Sequence, residues 1–316
     1  MRQPCQVVAL LVADLHLSHR PPVARSNEPD WYEAMGRQLD ELASLQKENN
    51  VPVVCSGDVF DRWNSPPELI NFALENLPTL YAVPGQHDLP NHSYNLIKRS
   101  AYWTLVKTRR IIDLKPNQPV DVGQLRLWGF PFGVPVKPCK APHHATLDVA
   151  VIHSYIWVKS ACYPDAPEDK RLKSYADKLK GYDTAVFGDN HKGFLHRVNC
   201  DYGESGCAVF NCGGFFRRKI DEWDHRPSVG LLHDDRTVKR HYLDCSQDKF
   251  LDQRELPQIF KGIAAETFLE ELSSLGDAAI NFAEAVDRIL TGREMPKEVK
   301  DLIVNILERA KDEKGS

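Results

Sequence analysis

Short apolar runs alternate with polar clusters along the first two thirds of the chain, and five of the runs end in the same way. Each run is five to seven residues long, rich in β-branched residues and bounded by turn-forming residues, which predicts a buried strand. The five predicted strands are Val8–Ala13, Val51–Gly57, Leu80–Gly85, Asp148–Ile152 and Thr184–Gly188.

Two segments between these strands have the spacing of helices. Apolar residues from Trp31 to Leu45 recur every three or four positions, which predicts an amphipathic helix of about 18 residues. Pro67 to Leu77 predicts a second, shorter helix. Alternation of strands and helices is typical of an α/β sheet with covered faces, and such sheets bind ligands beyond the carboxyl ends of their strands.

Side chains that can bind metal or carry protons follow each of the five strands. One aspartate after a strand is an ordinary turn former, and Asp30 before the first helix is interpreted only as its cap. Five clusters at the same ends favour a single site, whereas His143, His144, His225 and His241 lie outside the clusters and are interpreted as ordinary histidines. The clustered residues are Asp14, His16, Asp58, Asp61, Gln86, His87, Asp88, His153, Asp189, Asn190 and His191.

The order of these clusters resembles that of the calcineurin-like metallophosphoesterases: Asp-x-His, Gly-Asp-x-x-Asp, Gly-Asn-His-Asp, a lone His, and Gly-His-x-His. The stretches DLHLS, GDVFDR and PGQHD, and later NCGGFFRRKIDEWDHRPSVGLL, resemble the branch that contains the SbcD-type DNA-repair nucleases. The resemblance covers about Val7 to Leu243. It implies a two-sheet sandwich flanked by helices over residues 1–245, with a small helical C-terminal region over 246–316.

The resemblance also implies a role for each residue of the site. Asp58 would be shared by two divalent metal ions that activate a bridging water as the nucleophile. His87 would protonate the leaving group or stabilise the transition state, and Asp61 would belong to the same catalytic group. The remaining ligands would be Asp14, His16 and His191 for the first ion and Gln86, His153 and Asp189 for the second.

Two positions depart from the family pattern. Gln86 stands where the family has Asn, so its amide oxygen lies one methylene further out. Asp189 stands where the family has the first His of the last motif, which adds a negative charge. Both replacements can still bind metal, and a degenerate, non-catalytic site is the alternative. Oxygen-rich ligand sets favour Mn²⁺ or Mg²⁺ over zinc, and Mn²⁺ is the expected ion, with Mg²⁺, Fe²⁺ and Zn²⁺ left open.

Composition is that of a globular protein, with 42% hydrophobic and 27% charged residues. No apolar run approaches the ~20 residues of a membrane helix, so a cytoplasmic protein without membrane contact is expected. The cysteines form no Cys-x-x-Cys pair. Cys200, Cys207 and Cys212 are close enough in sequence to suggest zinc, but their irregular spacing favours ordinary thiols.

The charge balance leaves several functions open. A net charge of −4 is unusual for a protein that binds nucleic acid through electrostatic attraction alone. The leading hypothesis is a DNA nuclease, and the alternatives are a phosphoesterase for nucleotides or small molecules and a non-catalytic subunit with a weakened second metal site. The arginines that could contact phosphate are Arg20, Arg25, Arg62, Arg217 and Arg218, of which Arg20, Arg62 and Arg217 are the predicted substrate-binding residues.

The C-terminal region has two apolar stripes at helical spacing, Phe282 to Leu290 and Val299 to Ala310. SbcD-type proteins usually carry a larger DNA-contacting domain there, followed by a segment that docks a coiled-coil ATPase. Some 70 residues are too few for both. A helical appendage packed on the catalytic domain is favoured over docking of such an ATPase or another protein, and formation of a homodimer stays open.

Overall fold

The computed structural model of the protein describes residues 5–139, 146–163, 166–199, 206–219 and 222–251. Contacts divide the chain into a first unit, Met1–Phe250, and a second unit, Leu251–Ser316. The predicted C-terminal helices lie outside the described residues, so docking of a partner through them stays a prediction. None of the helices in the described ranges has the length and apolar character that crossing a membrane requires.

The described residues form twelve strands and three α-helices. The helices are α1 (Trp31–Asn49), α2 (Pro67–Asn76) and α3 (Ala101–Lys107). The strands are β1 (Val7–Val12), β2 (Val53–Cys55), β3 (Leu80–Ala82), β4 (Ile111–Asp113), β5 (Val120–Val122), β6 (Leu125–Phe130), β7 (Leu147–His153), β8 (Thr184–Gly188), β9 (Phe194–Val198), β10 (Cys207–Asn211), β11 (Ser228–His233) and β12 (Val238–Tyr242).

The strands make two six-stranded sheets, each with a parallel centre; the first has one antiparallel edge and the second has two. The first sheet has the order β12-β11-β1-β2-β3-β4, in which β1 to β4 are parallel. The second has the order β5-β6-β7-β8-β10-β9, in which β6, β7, β8 and β10 are parallel. The predicted architecture of two sheets flanked by helices is therefore confirmed.

Strand β1 shows why the central runs are wholly apolar. Leu10 and Val12 pack towards the helices, in a core shared with Leu39 of α1. Ala9 and Leu11 face the other way, into the core that also contains β7 and β8 of the second sheet. Because both faces are buried, a parallel central strand contains no alternation of apolar and polar residues.

Helix α1 begins and ends as its sequence predicts. The Asp30 side chain accepts a hydrogen bond from Glu33 N at 3.0 Å, so this aspartate is the helix cap. Asn50 ends the helix in the left-handed conformation, with φ of 51°. The observed 19 residues agree with the predicted length of about 18.

Candidate metal centre

The five polar clusters meet where the two sheets present the carboxyl ends of parallel strands. In the first sheet, Asp14 and Asp58 lie two and three residues beyond the ends of β1 and β2. In the second sheet, His153 is the last residue of β7, and Asp189 follows β8. The backbone N–H of Asp189 donates to Asp14 Oδ1 at 2.9 Å, which joins the two sheets at this point.

Four of the clustered residues have a left-handed backbone. The φ angles are 52° for Asp14, 43° for His16, 51° for Asp58 and 76° for Asp189. This conformation is uncommon for residues with a side chain, and it is found mainly where function requires a sharp change of direction. The strands therefore end in turns that aim these side chains at a common point.

Two glycines allow the strand ends to come this close together. A Cβ on Gly57, whose φ is 100°, would lie 2.2 Å from His153 Nδ1. A Cβ on Gly85 would lie 2.1 Å from Asp58 Oδ1. Both distances are far below van der Waals contact, so any side chain at either position would displace a candidate ligand.

The carboxylate of Asp58 lies at the centre of the site and is fully buried. Its Oδ1 accepts the backbone N–H of His87 at 2.9 Å. Its Oδ2 has no hydrogen-bond partner among the described residues, and lies 3.6 Å from His16 Nε2 and 3.4 Å from His153 Nε2. A buried anionic oxygen without a donor is costly unless a positive charge accompanies it. The residues around this oxygen therefore fit the binding of divalent cations.

The pKa shifts of the ionisable groups also indicate that the site needs positive charge. Burial raises the pKa of Asp58, but His153 and His16 outweigh burial and hold that pKa well below its usual value. Burial lowers the pKa of His153, but Asp58 and Asp14 outweigh burial and raise that pKa to about 10. Burial, together with the charge of Asp58, raises the pKa of Asp14. These carboxylates thus require nearby positive charge, which divalent cations can supply in place of protons.

Two of the imidazoles are oriented so that Nε2 faces the centre. His153 Nδ1 donates to the Ser56 carbonyl at 2.6 Å, since that oxygen can only accept. His16 Nδ1 lies 3.5 Å from Asp61 Oδ1, so a carboxylate stands behind this ring. Metal-binding histidines are commonly fixed by such a partner on the other nitrogen. The structure therefore places Asp61, which we predicted in the catalytic group, behind His16.

The predicted ligands of the first ion are close to one another. One ligand atom each from Asp14, His16 and His191 lies within 4.8 Å of the others. The Nε2 atoms of His16 and His191 are 3.1 Å apart. Glu222, which we did not predict, lies behind His191 with Oε1 at 4.0 Å from its Nδ1. Burial lowers the pKa of His191, so its ring is neutral and able to bind metal.

The predicted ligands of the second ion form a continuous chain. Ligand atoms of His153 and of the shared Asp58 lie within 4.8 Å of each other, in a group that also contains Asp14, a predicted ligand of the first ion. Gln86 Oε1 lies 2.6 Å from His153 Nε2, and Gln86 Nε2 donates to Asp189 Oδ1 at 2.8 Å. The two side chains that depart from the family pattern therefore contact each other. His153 Nε2 faces two acceptors, so either a proton or a cation must lie between them.

Asn190 has a structural role beside these ligands. Its side chain is buried, and Nδ2 donates to the carbonyls of Ile156 at 2.7 Å and Ala161 at 2.9 Å. Its Oδ1 accepts the backbone N–H of Lys192 at 3.0 Å. The amide is thus occupied by protein groups, and at this turn Asp189 is the side chain directed to the centre.

His87 lies at the partly exposed rim of the site. Its ring centroid is 4.8 Å from that of His16. Its Nδ1 donates to the Asp61 carbonyl at 2.8 Å, which leaves Nε2 without a protein partner among the described residues. His87 can therefore exchange a proton at Nε2 with a group bound at the centre.

The predicted arginines have different surroundings. Arg25 is buried and paired with Asp248 at 2.7 Å, so the prediction that it could meet phosphate is wrong. The guanidinium of Arg217 is held by Asp248 at 2.9 Å and by two backbone carbonyls. Arg218 is paired with Asp61 at 2.8 Å and lies beside the site. The remaining two predicted substrate-binding residues, Arg20 and Arg62, are exposed.

Several residues that support the site had not been assigned that role. Ser56 directly precedes the GD motif and Asp88 ends the HD motif, so their place beside the ligands could have been inferred. Glu222 accepts the backbone N–H groups of Arg218 at 2.6 Å and Lys219 at 3.0 Å, and nothing in the sequence indicates this. Among the described residues, no member of the cysteine cluster belongs to the candidate ligand groups at the centre. Cys207 and Cys212 are buried, and Cys200 lies outside the described residues.

Comparisons with known proteins identify a family. The model of the calcineurin-like phosphoesterase family matches residues 8–193. No curated protein matches the chain. Among solved structures, calcineurin-like phosphoesterase YfkN from Bacillus subtilis is similar over 84% of this chain and 98% of its own, with 13% identity and a TM-score of 0.42.

Two further solved structures are similar at the same low level. A metallophosphoesterase from Sphaerobacter thermophilus has 15% identity over 75% of this chain and 88% of its own, with a TM-score of 0.35. The protein TT1561 of Thermus thermophilus has 10% identity over 76% of this chain and 100% of its own, with a TM-score of 0.44. The family model, in contrast, spans more than half of the chain and all five clusters. The chain therefore belongs to the calcineurin-like phosphoesterase family, hydrolases that act on phosphoester bonds with two divalent metal ions.

Proposed function

We propose that this hydrolase is a phosphodiesterase that acts on DNA, as a nuclease of the SbcD-like kind. The observation that carries the phosphodiesterase assignment is the buried Asp58 Oδ2, which lies between His16 and His153 without a hydrogen-bond donor among the described residues. The resemblance of DLHLS, GDVFDR and PGQHD to the SbcD-type branch supports DNA as the substrate.

The side chains divide into two ligand sets around Asp58. Asp14, His16 and His191 would hold one divalent ion, and Gln86, His153 and Asp189 the other. When bound, the two ions supply a water of lowered pKa and positive charge for the phosphate oxygens. Carboxylate and amide oxygens contribute much of this donor set, which supports Mn²⁺ as the metal.

His87 would act on the leaving group. Its Nδ1 is fixed by the Asp61 carbonyl, so Nε2 is the atom that can deliver a proton to the departing oxygen. The backbone N–H of His87 binds Asp58 Oδ1, which fixes the main chain of His87 relative to the shared carboxylate. Asp61 would act as a positioning residue through its contacts with His16 and Arg218.

A second candidate is hydrolysis of nucleotides or other small phosphoesters. The net charge of −4 favours this second candidate, because electrostatic repulsion from an acidic protein weakens the binding of a long polyanion more than that of a small phosphoester. Both candidates use the same residues at the centre. They differ in the contacts that the substrate makes outside it.

The test is a substrate screen on the full chain, with Mn²⁺, Mg²⁺ or Zn²⁺ added after removal of bound metal. Linear duplex DNA, a single-stranded oligonucleotide, 5′-nucleotides and bis(p-nitrophenyl) phosphate are compared. Asp58→Asn, purified in parallel, controls for contaminating nucleases. We expect DNA cleavage with Mn²⁺ that chelator abolishes and Asp58→Asn lacks. Hydrolysis of nucleotides without cleavage of DNA would overturn the DNA assignment, and full activity in excess chelator would overturn the metal-dependent mechanism.

A further inference from the structure

Two aromatic side chains of the first unit are exposed to an unusual degree. Trp223 is 62% exposed and Tyr242 is 43% exposed. Each is associated with an arginine: Arg226 Cζ lies 4.0 Å from the centroid of the Tyr242 ring, and Arg217 Nη1 donates to the Trp223 carbonyl at 3.0 Å. Large aromatics exposed beside cations are a common feature of surfaces that bind a partner or ligand.

A groove lies at the Tyr242 end of this surface. Its volume is about 480 Å³, and Arg217, His225, Arg226 and Tyr242 are among the residues that line it. Arg226 forms no ion pair with a carboxylate anywhere in the described ranges, so its charge is available to a ligand. Arg217, by contrast, is neutralised by Asp248.

The groove also contains two carboxylates, and both have protein partners. Glu41 accepts from His241 Nε2 at 3.0 Å and from the backbone N–H of Asp244 at 2.9 Å. Asp244 accepts the backbone N–H of Ser246 at 2.8 Å. These hydrogen bonds leave both carboxylates negatively charged. Arg226 is therefore the arginine of the groove lining without a carboxylate partner among the described residues, and it is the group that a phosphate can engage.

The segment from Glu222 to Arg226 connects this groove to the metal centre. At one end, Glu222 Oε1 lies 4.0 Å from His191 Nδ1. At the other end, Arg226 covers the Tyr242 ring. Between them, His225 Nε2 donates to the Gly214 carbonyl at 2.7 Å. The backbone N–H of His225 donates to the Glu222 carbonyl at 3.0 Å, so the segment turns. Its outer Cα atoms are therefore closer than the ~14 Å of five extended residues, which is fewer than about four nucleotide steps of ~3.4 Å.

We propose that Trp223, Arg226 and Tyr242 form a binding site for a single strand of DNA that extends from the metal centre. A base would stack on the exposed face of Trp223, and Arg226 on Tyr242 would bind a backbone phosphate. A DNA strand is favoured over a protein partner because Arg226, which has no carboxylate partner among the described residues, covers the Tyr242 ring. In addition, β12 places Lys239, Arg240 and His241 on an edge strand, where charge opposes strand addition. The inference rests on the proposed function.

The experiment compares two substrates on the same variants. The full chain is assayed with Mn²⁺ on a 12-nucleotide single strand and on bis(p-nitrophenyl) phosphate, which is too short to reach the groove. The variants are Trp223→Ala, Trp223→Phe and Arg226→Gln. The matched controls are Leu195→Ala and Arg99→Gln, an exposed apolar residue and an exposed arginine elsewhere on the first unit.

We expect Trp223→Ala to lower the ratio of kcat/KM for the oligonucleotide to kcat/KM for the small ester about 5- to 100-fold, the usual effect of losing one stacked base. Trp223→Phe should retain most of the ratio. Arg226→Gln should lower it and reduce the slope of log KM against log salt by about 0.7, because one phosphate contact is lost. The two controls should leave the ratio unchanged.

The outcomes separate this inference from the function on which it rests. If the wild type cleaves the oligonucleotide and the three variants keep its ratio, the groove is not a DNA site and the nuclease assignment stands. If a variant differs from the wild type in sedimentation coefficient but keeps the same ratio of kcat/KM values, the surface is a contact between protein molecules. This result would also overturn the inference. If the wild type hydrolyses only the small ester, the proposed function fails, and the inference fails with it.

Discussion

Asp88 is a buried carboxylate that ties together the loops after β2 and β3. Its side chain is 0% exposed. Oδ2 accepts the backbone N–H groups of Val59 at 3.1 Å and Gly85 at 3.1 Å, and Oδ1 accepts that of Phe60 at 2.9 Å. These loops bear Asp58 and Gln86, the predicted shared carboxylate and amide ligand, so Asp88 fixes the separation of the two loops through backbone hydrogen bonds.

Asp88→Asn tests this role without a change of volume. In its better orientation, the amide keeps its oxygen towards Val59 and Gly85 and turns its NH₂ towards the Phe60 N–H. One backbone donor then loses its acceptor, and a buried NH₂ gains none. Two unsatisfied buried groups at about 1–3 kcal/mol each predict a loss of about 2–6 kcal/mol in the free energy of unfolding. That is a large share of the roughly 5–15 kcal/mol typical of a folded domain.

Urea unfolding in the presence of chelator measures the loss, with tryptophan fluorescence as the signal. All six tryptophans lie in the first unit, so the signal reports on the sandwich. Asp30→Asn is the matched control, because its exposed carboxylate also accepts a backbone N–H and Asn caps helices equally well. The control should change the free energy of unfolding by less than about 0.5 kcal/mol. A loss below about 1 kcal/mol for Asp88→Asn would refute the reasoning.

Three further predictions concern other parts of the first unit. His87→Ala should lower kcat by about 10²–10⁴ and leave metal content, measured by mass spectrometry, near normal; loss of metal instead would contradict the assigned role. Gln86→Asn and Asp189→His should each weaken Mn²⁺ binding in calorimetric titrations. The double variant should bind Mn²⁺ more tightly than the sum of the two single changes in binding free energy predicts. Strictly additive changes would contradict an energetic coupling between Gln86 and Asp189. Burial raises the pKa of Glu28, but a backbone N–H and Arg25 outweigh it and lower that pKa below its usual 4.5. Its contribution to stability is therefore present above pH 4.5 and lost as the pH falls through the lower pKa of the folded state. Glu28→Gln should thus reduce the loss in free energy of unfolding between neutral and acidic pH, measured by urea titrations at several pH values. An unchanged pH dependence would contradict the prediction.

The central strands could be predicted from sequence because they are buried on both faces. Thr184–Gly188 was predicted with the bounds that β8 has. The strand predicted over Val51–Gly57 is shorter, since β2 covers only Val53–Cys55. Beyond Cys55 the chain turns at Gly57, whose φ is 100°, towards the metal centre. The apolar run thus continued into a functional turn that hydropathy does not distinguish from a strand.

The edge strands and the arginine contacts could not be predicted in the same way. The centre of β9 is exposed and that of β12 consists of exposed or half-buried charged residues, so both strands lack the apolar run that marked the other strands. The pairing of Arg25 with Asp248 joins residues 223 positions apart. No local pattern indicates such a partner. The sequence alone therefore does not distinguish a buried, paired arginine from an exposed one.

Gln86 and Asp189 show how two apparent departures become one feature in the folded chain. In sequence they stand 103 positions apart, and each alone weakens the expected second ligand set. In the structure the longer amide spans from His153 to Asp189, with one end at 2.6 Å and the other at 2.8 Å. A shorter Asn would lose reach at one of these contacts, and a His at the other position would replace an anionic acceptor by a ring that must be neutral to bind metal. The two residues therefore constrain each other, and the extra negative charge lies where a second divalent ion would be held.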